Sequence, residues 1–461
     1  MSRPHILAIP YPAQGHVIPL LELSQCLVKH GFRVTFVNTD HTHNRVINAL
    51  QENFTGDEIH LVSIPDGMEP WEDRNDFARL SETMPEVMPG ELEKLIEEIN
   101  RVEEEKIVCV IADGNVEFAI RVAEKMKIKK AAFWSLAAAS LALLYNVPKM
   151  IDEGIIDSDG TPIKKQIIQL AHNMPEIDST NFLWANLGGG LAFQKKIFHR
   201  IEKFTEAVKV ADWLICNSAS DFEPEAFNLV PNILPIGPLL ANNRQGNSAG
   251  YFWQEDSTCL KWLDQQQPNS VIYVAFGSFT VIDKIQFQEL ALGLELTNRP
   301  FLWVVRPNIT DDANQAYPEG FQDRVANRGK MVGWAPQQKV LSHPSIACFF
   351  SHCGWNSTME GVSNGVPFLC WPYFGDQFID ESYICDIWKV GLKFTRDESG
   401  SITREEIKTK VDQVVGVEDF KARALELKET ALKSVKDGGH SDKTFKKFIE
   451  WIRSPEPGHA C

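Results

Sequence analysis

The sequence has no long uninterrupted hydrophobic run and no excess of positive charge. Its longest apolar stretch, Ala131–Tyr145, is interrupted by Ser135 and Ser140 and is too short to span a bilayer. The formal net charge of −16 at pH 7 argues against nucleic acid or an anionic membrane surface as the main partner. We therefore predict no nucleic-acid partner and no stable membrane insertion. The oligomeric state is open, with a monomer as the expectation.

The chain also lacks the cysteine spacing and the leader of a secreted protein. Its 9 cysteines are scattered through 461 residues, which favours a reduced cytosolic protein over a disulfide framework. The N-terminus has neither a basic segment nor a long apolar core, so no signal peptide is expected. Cys461 is the last residue and forms no prenylation motif. The expected localisation is cytoplasmic.

Two motifs that would indicate a bound cofactor or metal are missing or out of context. No G-x-G-x-x-G follows the first predicted strand, which weighs against a dinucleotide-dependent oxidoreductase. Asp157-Ser158-Asp159 spells a metal-binding D-x-D motif, but it lies beside Gly160 in a polar loop without an apolar strand before it. We interpret it as a turn. The expectation is no metal and no permanently bound cofactor.

The chain alternates predicted strands and helices in two successive sets. A strand at His5–Pro10, an amphipathic helix at His16–His30 and a strand at Phe32–Val37 form a βαβ unit, which requires a parallel sheet. A polar, glycine-bearing segment without periodicity begins at Ala241 and predicts an interdomain linker. The predicted division is a first domain at 1–240, a linker at 241–257, a second domain at 258–440 and a final segment at 441–461 with an amphipathic helix.

The stretch 334–377 combines a buried strand, a tight turn and a short helix. Ile346–Ser351 is the strand, and Asn356 and Ser357 are the predicted N-cap residues of the helix. A helix N-terminus presents unpaired N–H groups and a partial positive charge, so we expect an anion at 354–357. His352 adds a side-chain donor at the same place.

Other residues of this stretch suit the remaining parts of a nucleotide sugar. Trp334 offers a flat ring for a base, and Glu360, one helical turn in, could accept hydrogen bonds from a ribose diol. Asp376 and Gln377 offer acceptors and donors for sugar hydroxyls. Base, ribose, diphosphate and polyol together predict a nucleotide sugar as ligand.

The stretch 334–377 resembles the 44-residue signature box of plant family-1 UDP-dependent glycosyltransferases. It begins W-A-P-Q, contains H-C-G-W-N-S with a glutamate three residues after the serine, and ends D-Q. Pro10–His16 resembles the family's N-terminal P-x-P-x-x-G-H, and Ala275–Ser278 resembles its F-G-S phosphate loop. The resemblance implies an α/β fold of the GT-B type: two facing Rossmann-like domains with parallel sheets, a cleft between them, and a last helix that crosses back to the first domain.

The resemblance also implies a reaction and a set of site residues. The reaction is inverting transfer of a sugar, expected to be glucose, from a UDP-sugar to a nucleophilic group, usually a hydroxyl, of a small lipophilic acceptor of phenolic, terpenoid or steroid type; whether oxygen, nitrogen, sulfur or carbon is glycosylated is open. His16 is the expected general base and Asp113 orients it; the start of a helix disfavours a cationic imidazole there. The implied donor-binding residues are Ser278, Trp334, Ala335, Gln337, His352, Gly354, Trp355, Asn356, Ser357, Glu360, Asp376 and Gln377. The candidate acceptor-binding residues are Asn115, Phe118, Ser135 and Phe374.

Other interpretations of the same residues are open. A histidine in a strand-to-helix loop is more often structural than catalytic, Asp113 could be the N-cap of a helix at Val116–Met126, and Glu360 could be a solvated helix residue. A nucleotide-sugar epimerase or hydrolase of the same fold would consume UDP-sugar without an acceptor. A catalytically silent UDP-binding module would not turn over, and the presence of both His16 and Asp113 argues against it.

Overall fold

A computed structural model describes residues 3–49, 59–230, 232–239, 251–310 and 316–455. The chain folds into two compact units. One comprises the described residues up to Phe252 together with those from Lys433 onward, and the other comprises the described residues of Trp253–Leu432. Of the predicted linker at 241–257, residues 241–250 lie outside the described part of the chain.

The first unit is built on a parallel sheet of seven strands. The strands of this unit are β1 His5–Ile9, β2 Arg33–Thr39, β3 Ile59–Ile64, β4 Ile107–Asp113, β5 Lys129–Trp134, β6 Ile167–Gln169, β7 Glu176–Asp178, β8 Trp213–Cys216 and β9 Ile233–Pro235. The large sheet has the order β3-β2-β1-β4-β5-β8-β9, and β6 and β7 form a separate antiparallel pair. Every residue of β1 is buried, as expected for a parallel strand covered on both faces.

Helices cover the strands of the first unit. They are Gln14–Lys29, Asp40–Ala49, Phe77–Val102, Glu117–Lys125, Ala138–Tyr145, Val147–Asp152, Gly190–Val210, Pro224–Leu229 and His440–Arg453, with a short 3₁₀ turn at Ser179–Asn181. The sequence pattern predicts a helix only at Glu91–Val102. The observed helix Phe77–Val102 begins well before Glu91 and runs through Pro85 and Pro89. Its residues 80, 84, 88, 92 and 96 are all buried. Packing of this every-fourth-residue stripe outweighs the hydrogen bonds that the two prolines remove.

The helix His440–Arg453 packs within the first unit. Phe445, Phe448 and Ile449 belong to the buried cluster that also contains residues of β1 and β2. The ammonium group of Lys129 donates to the carbonyls of Trp451 and Ile452 at 2.6 and 3.0 Å. A lysine is favourable at this position because the carbonyls at a helix C-terminus carry a partial negative charge. Apolar packing and this charged cap together hold the helix on the first unit.

The second unit contains a six-stranded parallel sheet. Its strands are β10 Val271–Ala275, β11 Phe301–Val304, β12 Gly329–Val332, β13 Ile346–Ser351, β14 Phe368–Cys370 and β15 Gly391–Lys393, in the order β12-β11-β10-β13-β14-β15. Its helices are Thr258–Leu263, Lys284–Leu296, Phe321–Val325, Gln337–Leu341, Trp355–Asn364, Gln377–Ser382, the π-helix Tyr383–Ile387, Arg404–Gly416 and Glu418–Val435. Large aromatic side chains such as Trp303, Phe350 and Trp371 fill its core.

In each sheet the strands are parallel, but the order in which successive strands are added reverses at one point. In the first unit the reversal lies between β1 and β4, and in the second between β10 and β13. Open α/β sheets bind their ligands at the carboxyl ends of the strands at such a switch point. The predicted α/β class with two Rossmann-like parallel sheets is confirmed. Among the described residues, no helix is long and apolar enough to cross a membrane.

Candidate functional site

The switch point of the first unit brings His16 and Asp113 together. His16 is the third residue of the helix after β1, and Asp113 is the last residue of β4, which pairs with β1. Their side chains form a hydrogen bond of 2.8 Å between His16 Nδ1 and Asp113 Oδ2. The Asp113 side chain is 1% exposed and that of His16 15%. Because an ionised carboxylate only accepts, the proton lies on Nδ1 and the lone pair on Nε2.

Ser135 joins this pair from the neighbouring strand. It is the first residue after β5, which pairs with β4. Its hydroxyl donates to Asp113 Oδ2 at 3.2 Å and lies 3.0 Å from His16 Nδ1. Ser135 was predicted as an acceptor-binding residue, and in the structure its hydroxyl contacts the His16–Asp113 pair. The signal that could have revealed this contact from the sequence is that β1, β4 and β5 are neighbours in the sheet, so the residues that follow them meet at one edge.

The second oxygen of Asp113 fixes the following loop. Asp113 Oδ1 accepts the backbone N–H of Asn115 at 2.9 Å, and the carbonyl of Asn115 accepts a hydrogen bond from Arg200. The helix Glu117–Lys125 has Val116 as its N-cap, without a side-chain cap bond. The alternative role of Asp113 as that N-cap is therefore wrong. The Tyr11 ring packs edge-on against the His16 imidazole, with 5.4 Å between the ring centroids.

The switch point of the second unit places an imidazole between two glycines. His352 follows β13 and Gly277 follows β10. A Cβ added at Gly277 would lie 2.6 Å from His352 Nε2, and one added at Gly354 would lie 2.8 Å from the same atom. Neither position has room for a side chain unless the imidazole moves. Burial lowers the pKa of His352 to about 4, so this imidazole is neutral near pH 7.

The helix that begins beside His352 starts two residues earlier than its predicted caps imply. It spans Trp355–Asn364, and its N-cap residue is Gly354. Gly354 has φ of −57° and ψ of 143° and makes no side-chain cap bond. The prediction that Asn356 and Ser357 are the N-caps is wrong. The cap must be a glycine here because a larger residue would collide with His352. The N-terminus of the helix carries a partial positive charge, which still suits an anion.

A chain of hydrogen bonds connects three of the predicted donor-binding residues. The side-chain amide of Gln337 donates to Ser357 Oγ at 2.9 Å and to Glu360 Oε2. Ser357 is 8% exposed and Glu360 6%. Burial raises the pKa of Glu360 to about 7, against the opposing effect of hydrogen bonds from Gln337 and Gln338 and with a smaller contribution from nearby Glu255. Glu360 is therefore not the solvated helix residue that remained open from the sequence.

Trp334 stacks on a second indole that sequence reasoning missed. The Trp253 and Trp334 rings lie 4.8 Å apart at an interplanar angle of 23°. Trp334 is 8% exposed and Ala335 2%. The carbonyl of Trp334 accepts the N–H of Asp256 at 2.9 Å. Trp253 therefore supports one face of Trp334 within the second unit.

The remaining predicted donor residues lie around the same strand ends. The Gln377 amide oxygen accepts the backbone N–H groups of Tyr373 and Phe374 at 2.7 and 3.2 Å, which fixes the side chain. Trp355 is 1% exposed and contacts Trp388 at 6.2 Å between centroids. Half-buried positions are occupied by Ser278, Asn356 and Asp376.

The remaining acceptor candidates have different surroundings. Phe118 is only 6% exposed, in the helix after β4. Phe374 belongs to the second unit, where it packs edge-on against Phe279 at 6.2 Å. Asn115 lies in the loop that Asp113 and Arg200 fix.

The D-x-D stretch is a turn in the structure. Asp157 Oδ1 accepts the N–H groups of Asp159 and Thr161 at 2.9 and 2.8 Å, and Asp159 pairs with Lys195. Within the part of the chain that the structure describes, no group of three or more His, Cys, Asp or Glu side chains could hold a metal ion.

Known proteins resemble this chain over nearly its whole length. The family described as UDP-glucoronosyl and UDP-glucosyl transferase matches residues 99–432. UDP-glycosyltransferase 83A1 of Arabidopsis thaliana is 47% identical over 465 residues, which cover 98% of this chain and 98% of that protein.

Solved structures extend the similarity to the fold. Os79 from O. sativa in complex with UDP has a TM-score of 0.81 at 26% identity, covering 97% of this chain and 100% of that one. Phytolacca americana UGT2, complexed with UDP-2fluoro-glucose and pterostilbene, has a TM-score of 0.79 at 25% identity, covering 98% and 99%. The two Rossmann-like units are those of a GT-B fold. The chain therefore belongs to the plant UDP-glycosyltransferases, enzymes that transfer a glycosyl group from a UDP-sugar to small-molecule acceptors.

Proposed function

We propose that this enzyme transfers glucose from UDP-glucose, with inversion at the anomeric carbon, to a hydroxyl of a small lipophilic acceptor of phenolic, terpenoid or steroid type. The observation that carries the proposal is the 2.8 Å hydrogen bond between His16 Nδ1 and Asp113 Oδ2. In the neutral imidazole this bond holds the proton on Nδ1 and leaves the lone pair on Nε2, which is the form a general base needs. Ordinary acceptor hydroxyls are weak nucleophiles until such a base takes their proton.

The reaction is a single displacement. His16 Nε2 removes the acceptor proton as the acceptor oxygen forms a bond to the anomeric carbon. The bond between that carbon and the β-phosphate oxygen breaks, and UDP leaves with the electron pair. The resulting imidazolium is stabilised by the buried Asp113 carboxylate.

The second unit supports the donor part of this proposal. The start of the helix Trp355–Asn364 suits the diphosphate, since a helix N-terminus carries a partial positive charge. Glu360 suits the ribose hydroxyls, and Trp334 suits the uracil ring. We assign the sugar to Asp376 and Gln377. Besides the helix start, the phosphates are assigned to Ser278, His352, Asn356 and Ser357. Ala335 and Gln337 are assigned further contacts with the uracil ring.

Related structures support the choice of ligands. The Os79 structure contains UDP, and the Phytolacca americana structure contains UDP-2fluoro-glucose together with pterostilbene. We further infer that acceptor binding belongs to the domain at 1–240 and donor binding to the domain at 258–440. We expect a cytoplasmic monomer, which size-exclusion chromatography with light scattering would check.

A mass-spectrometric screen tests the proposal. The enzyme is incubated with UDP-glucose and panels of phenolics, terpenoids and steroids, and glycosylated products and free UDP are measured. We expect His16→Ala to lower kcat on an identified acceptor by roughly 10²–10⁴-fold, with the affinity for UDP retained. Full activity of this variant would contradict the assigned base, and UDP release without any acceptor product would indicate a hydrolase.

A further inference from the structure

Tyr273 lies in the middle of β10, outside the signature stretch 334–377. It is 1% exposed, and its ring stacks on Phe349 of the neighbouring strand at 5.1 Å and 23°. The central position in the sheet and the aromatic stack fix the direction of its side chain. A buried phenol hydroxyl needs a hydrogen-bond partner.

The partner is the side-chain amide of Gln337. Tyr273 Oη donates to Gln337 Oε1 at 3.0 Å. The other end of the same amide, Nε2, donates to Ser357 Oγ at 2.9 Å and to Glu360 Oε2. The hydrogen bonds therefore run from Tyr273 through one amide to Glu360.

We propose that Tyr273 is a positioning residue that sets the orientation of the Gln337 amide and thereby holds the Glu360 carboxylate in place for the ribose hydroxyls of the donor nucleotide. The proposal rests on the ribose role of Glu360 in the proposed function. An ionised carboxylate can only accept hydrogen bonds, so Gln337 must present Nε2 to it. The Tyr273 hydroxyl favours that orientation because it donates to Oε1. Without it, an amide rotated by half a turn would direct an oxygen at the carboxylate.

The variant Tyr273→Phe tests this inference, because it keeps the ring stack on Phe349 and removes only the hydroxyl. Calorimetry measures the binding of UDP and of 2′,3′-dideoxy-UDP, which lacks the ribose diol. We expect the wild-type enzyme to prefer UDP, and Tyr273→Phe to lower the affinity for UDP by roughly 3–10-fold with little change for the dideoxy analogue. In steady-state kinetics KM for UDP-glucose rises by a similar factor while kcat changes less than about twofold.

Glu360→Gln and Tyr317→Phe are the reference variants. Glu360→Gln should also reduce the preference for UDP, and the double variant should lose little more than Glu360→Gln alone, because both changes act through one carboxylate. Tyr317→Phe removes a hydroxyl from a ring that packs against Phe287 and Phe321 in the same unit and should leave the preference unchanged.

Three results would overturn the inference. If Tyr273→Phe weakened both nucleotides equally, its role would be structural. If it kept the full preference while Glu360→Gln lost it, Tyr273 would not position Glu360. If the wild-type enzyme bound UDP but did not distinguish the two nucleotides, the ribose role of Glu360 would itself be wrong, and failure to bind UDP at all would contradict the proposed function.

Discussion

The two parallel sheets place different side chains at the same topological position. At the switch point of the first unit, the loop after β1 carries His16 and the end of β4 carries Asp113. At the switch point of the second unit, the loop after β10 carries Gly277 and the residue after β13 is His352. Each unit thus has one imidazole at its switch point, but the neighbours of the two imidazoles differ.

These neighbours decide what each imidazole can do. A carboxylate holds His16 through Nδ1 at 2.8 Å, and that partner stabilises the cation formed when Nε2 takes a proton. Burial, and then the charge of Arg306, lower the pKa of His352 to about 4. His352 therefore stays neutral near pH 7, packed beside Gly277 and Gly354 at the start of a helix. The same fold position therefore carries an imidazole held by a carboxylate in one unit and a buried, neutral imidazole in the other.

The change Asp113→Asn should have the largest effect on this contrast. An asparagine amide can donate to His16 Nδ1, which moves the imidazole proton to Nε2 and removes the lone pair there. We expect kcat to fall by roughly 10²–10⁴-fold, with UDP affinity in the second unit unchanged. Initial rates with saturating UDP-glucose, together with calorimetry of UDP, measure both quantities.

Asp157→Asn is the matched control for Asp113→Asn. Asp157 is an aspartate of the same unit whose carboxylate also accepts backbone N–H groups, from Asp159 and Thr161. Its replacement should leave kcat within about twofold of wild type. Equal losses in the two variants would show that the Asp113 effect is structural rather than catalytic.

The change Gly354→Ala tests the close packing at the second switch point. The new Cβ would lie 2.8 Å from His352 Nε2, and Gly277 blocks the imidazole from the other side. We expect KM for UDP-glucose to rise roughly tenfold, since overpacking of this kind typically costs 1–3 kcal/mol. Gly416→Ala, where a Cβ meets nothing within 4 Å, should leave KM unchanged. An unchanged KM in Gly354→Ala would mean that this loop does not bind the donor.

Local sequence signals were sufficient to predict the elements that position both sites. Strand Ile346–Ser351 has its predicted bounds, because the apolar run and its polar boundaries coincide there. The helix Phe77–Val102 was predicted only in part, because long-range packing compensates for Pro85 and Pro89. The N-cap at Gly354 was missed because it depends on the position of the His352 ring, which no local propensity encodes.

Side-chain partners were harder to predict than elements. Residue types and spacing indicated His16 and Asp113, and the sheet topology then explains why they meet across 97 positions of sequence. The stack of Trp253 on Trp334 and the bond from Tyr273 to Gln337 join residues whose separation carries no periodic signal. Such contacts depend on tertiary packing and cannot be derived from one sequence.

Two buried glutamates, Glu223 in the first unit and Glu360 in the second, should respond differently to pH. Burial raises the pKa of Glu223 and of Glu360 to about 7. Glu223 accepts hydrogen bonds from the Ala138 and Ala139 N–H groups and from Ser218, so its acceptors are occupied by the protein itself. Glu360 is the one assigned to a ligand.

The ionised form of Glu360 exists above its pKa and is lost as the pH falls below about 7. Since a ribose diol needs an acceptor, we expect KM for UDP-glucose to rise roughly 3–10-fold between pH 8 and pH 6. UDP-glucose is used for this measurement rather than UDP, because the terminal phosphate of UDP itself changes ionisation near pH 6. Glu360→Gln should flatten this dependence and Glu223→Gln should preserve it. A profile unaffected by Glu360→Gln would contradict the assignment.

The change Ser135→Ala should have the smallest effect and distinguishes two roles of that residue. Its hydroxyl donates to Asp113 Oδ2 at 3.2 Å, but Asp113 keeps its bonds to His16 and to the Asn115 N–H without it. We therefore expect kcat to fall only roughly 2–5-fold, because the two remaining bonds keep the carboxylate in place, with recovery in Ser135→Thr. Ser140→Ala is the control, because the buried Ser140 hydroxyl has no hydrogen-bond partner among the described residues. A higher KM for the acceptor at unchanged kcat would instead show that Ser135 lines the acceptor site, as its place in the sequence first indicated.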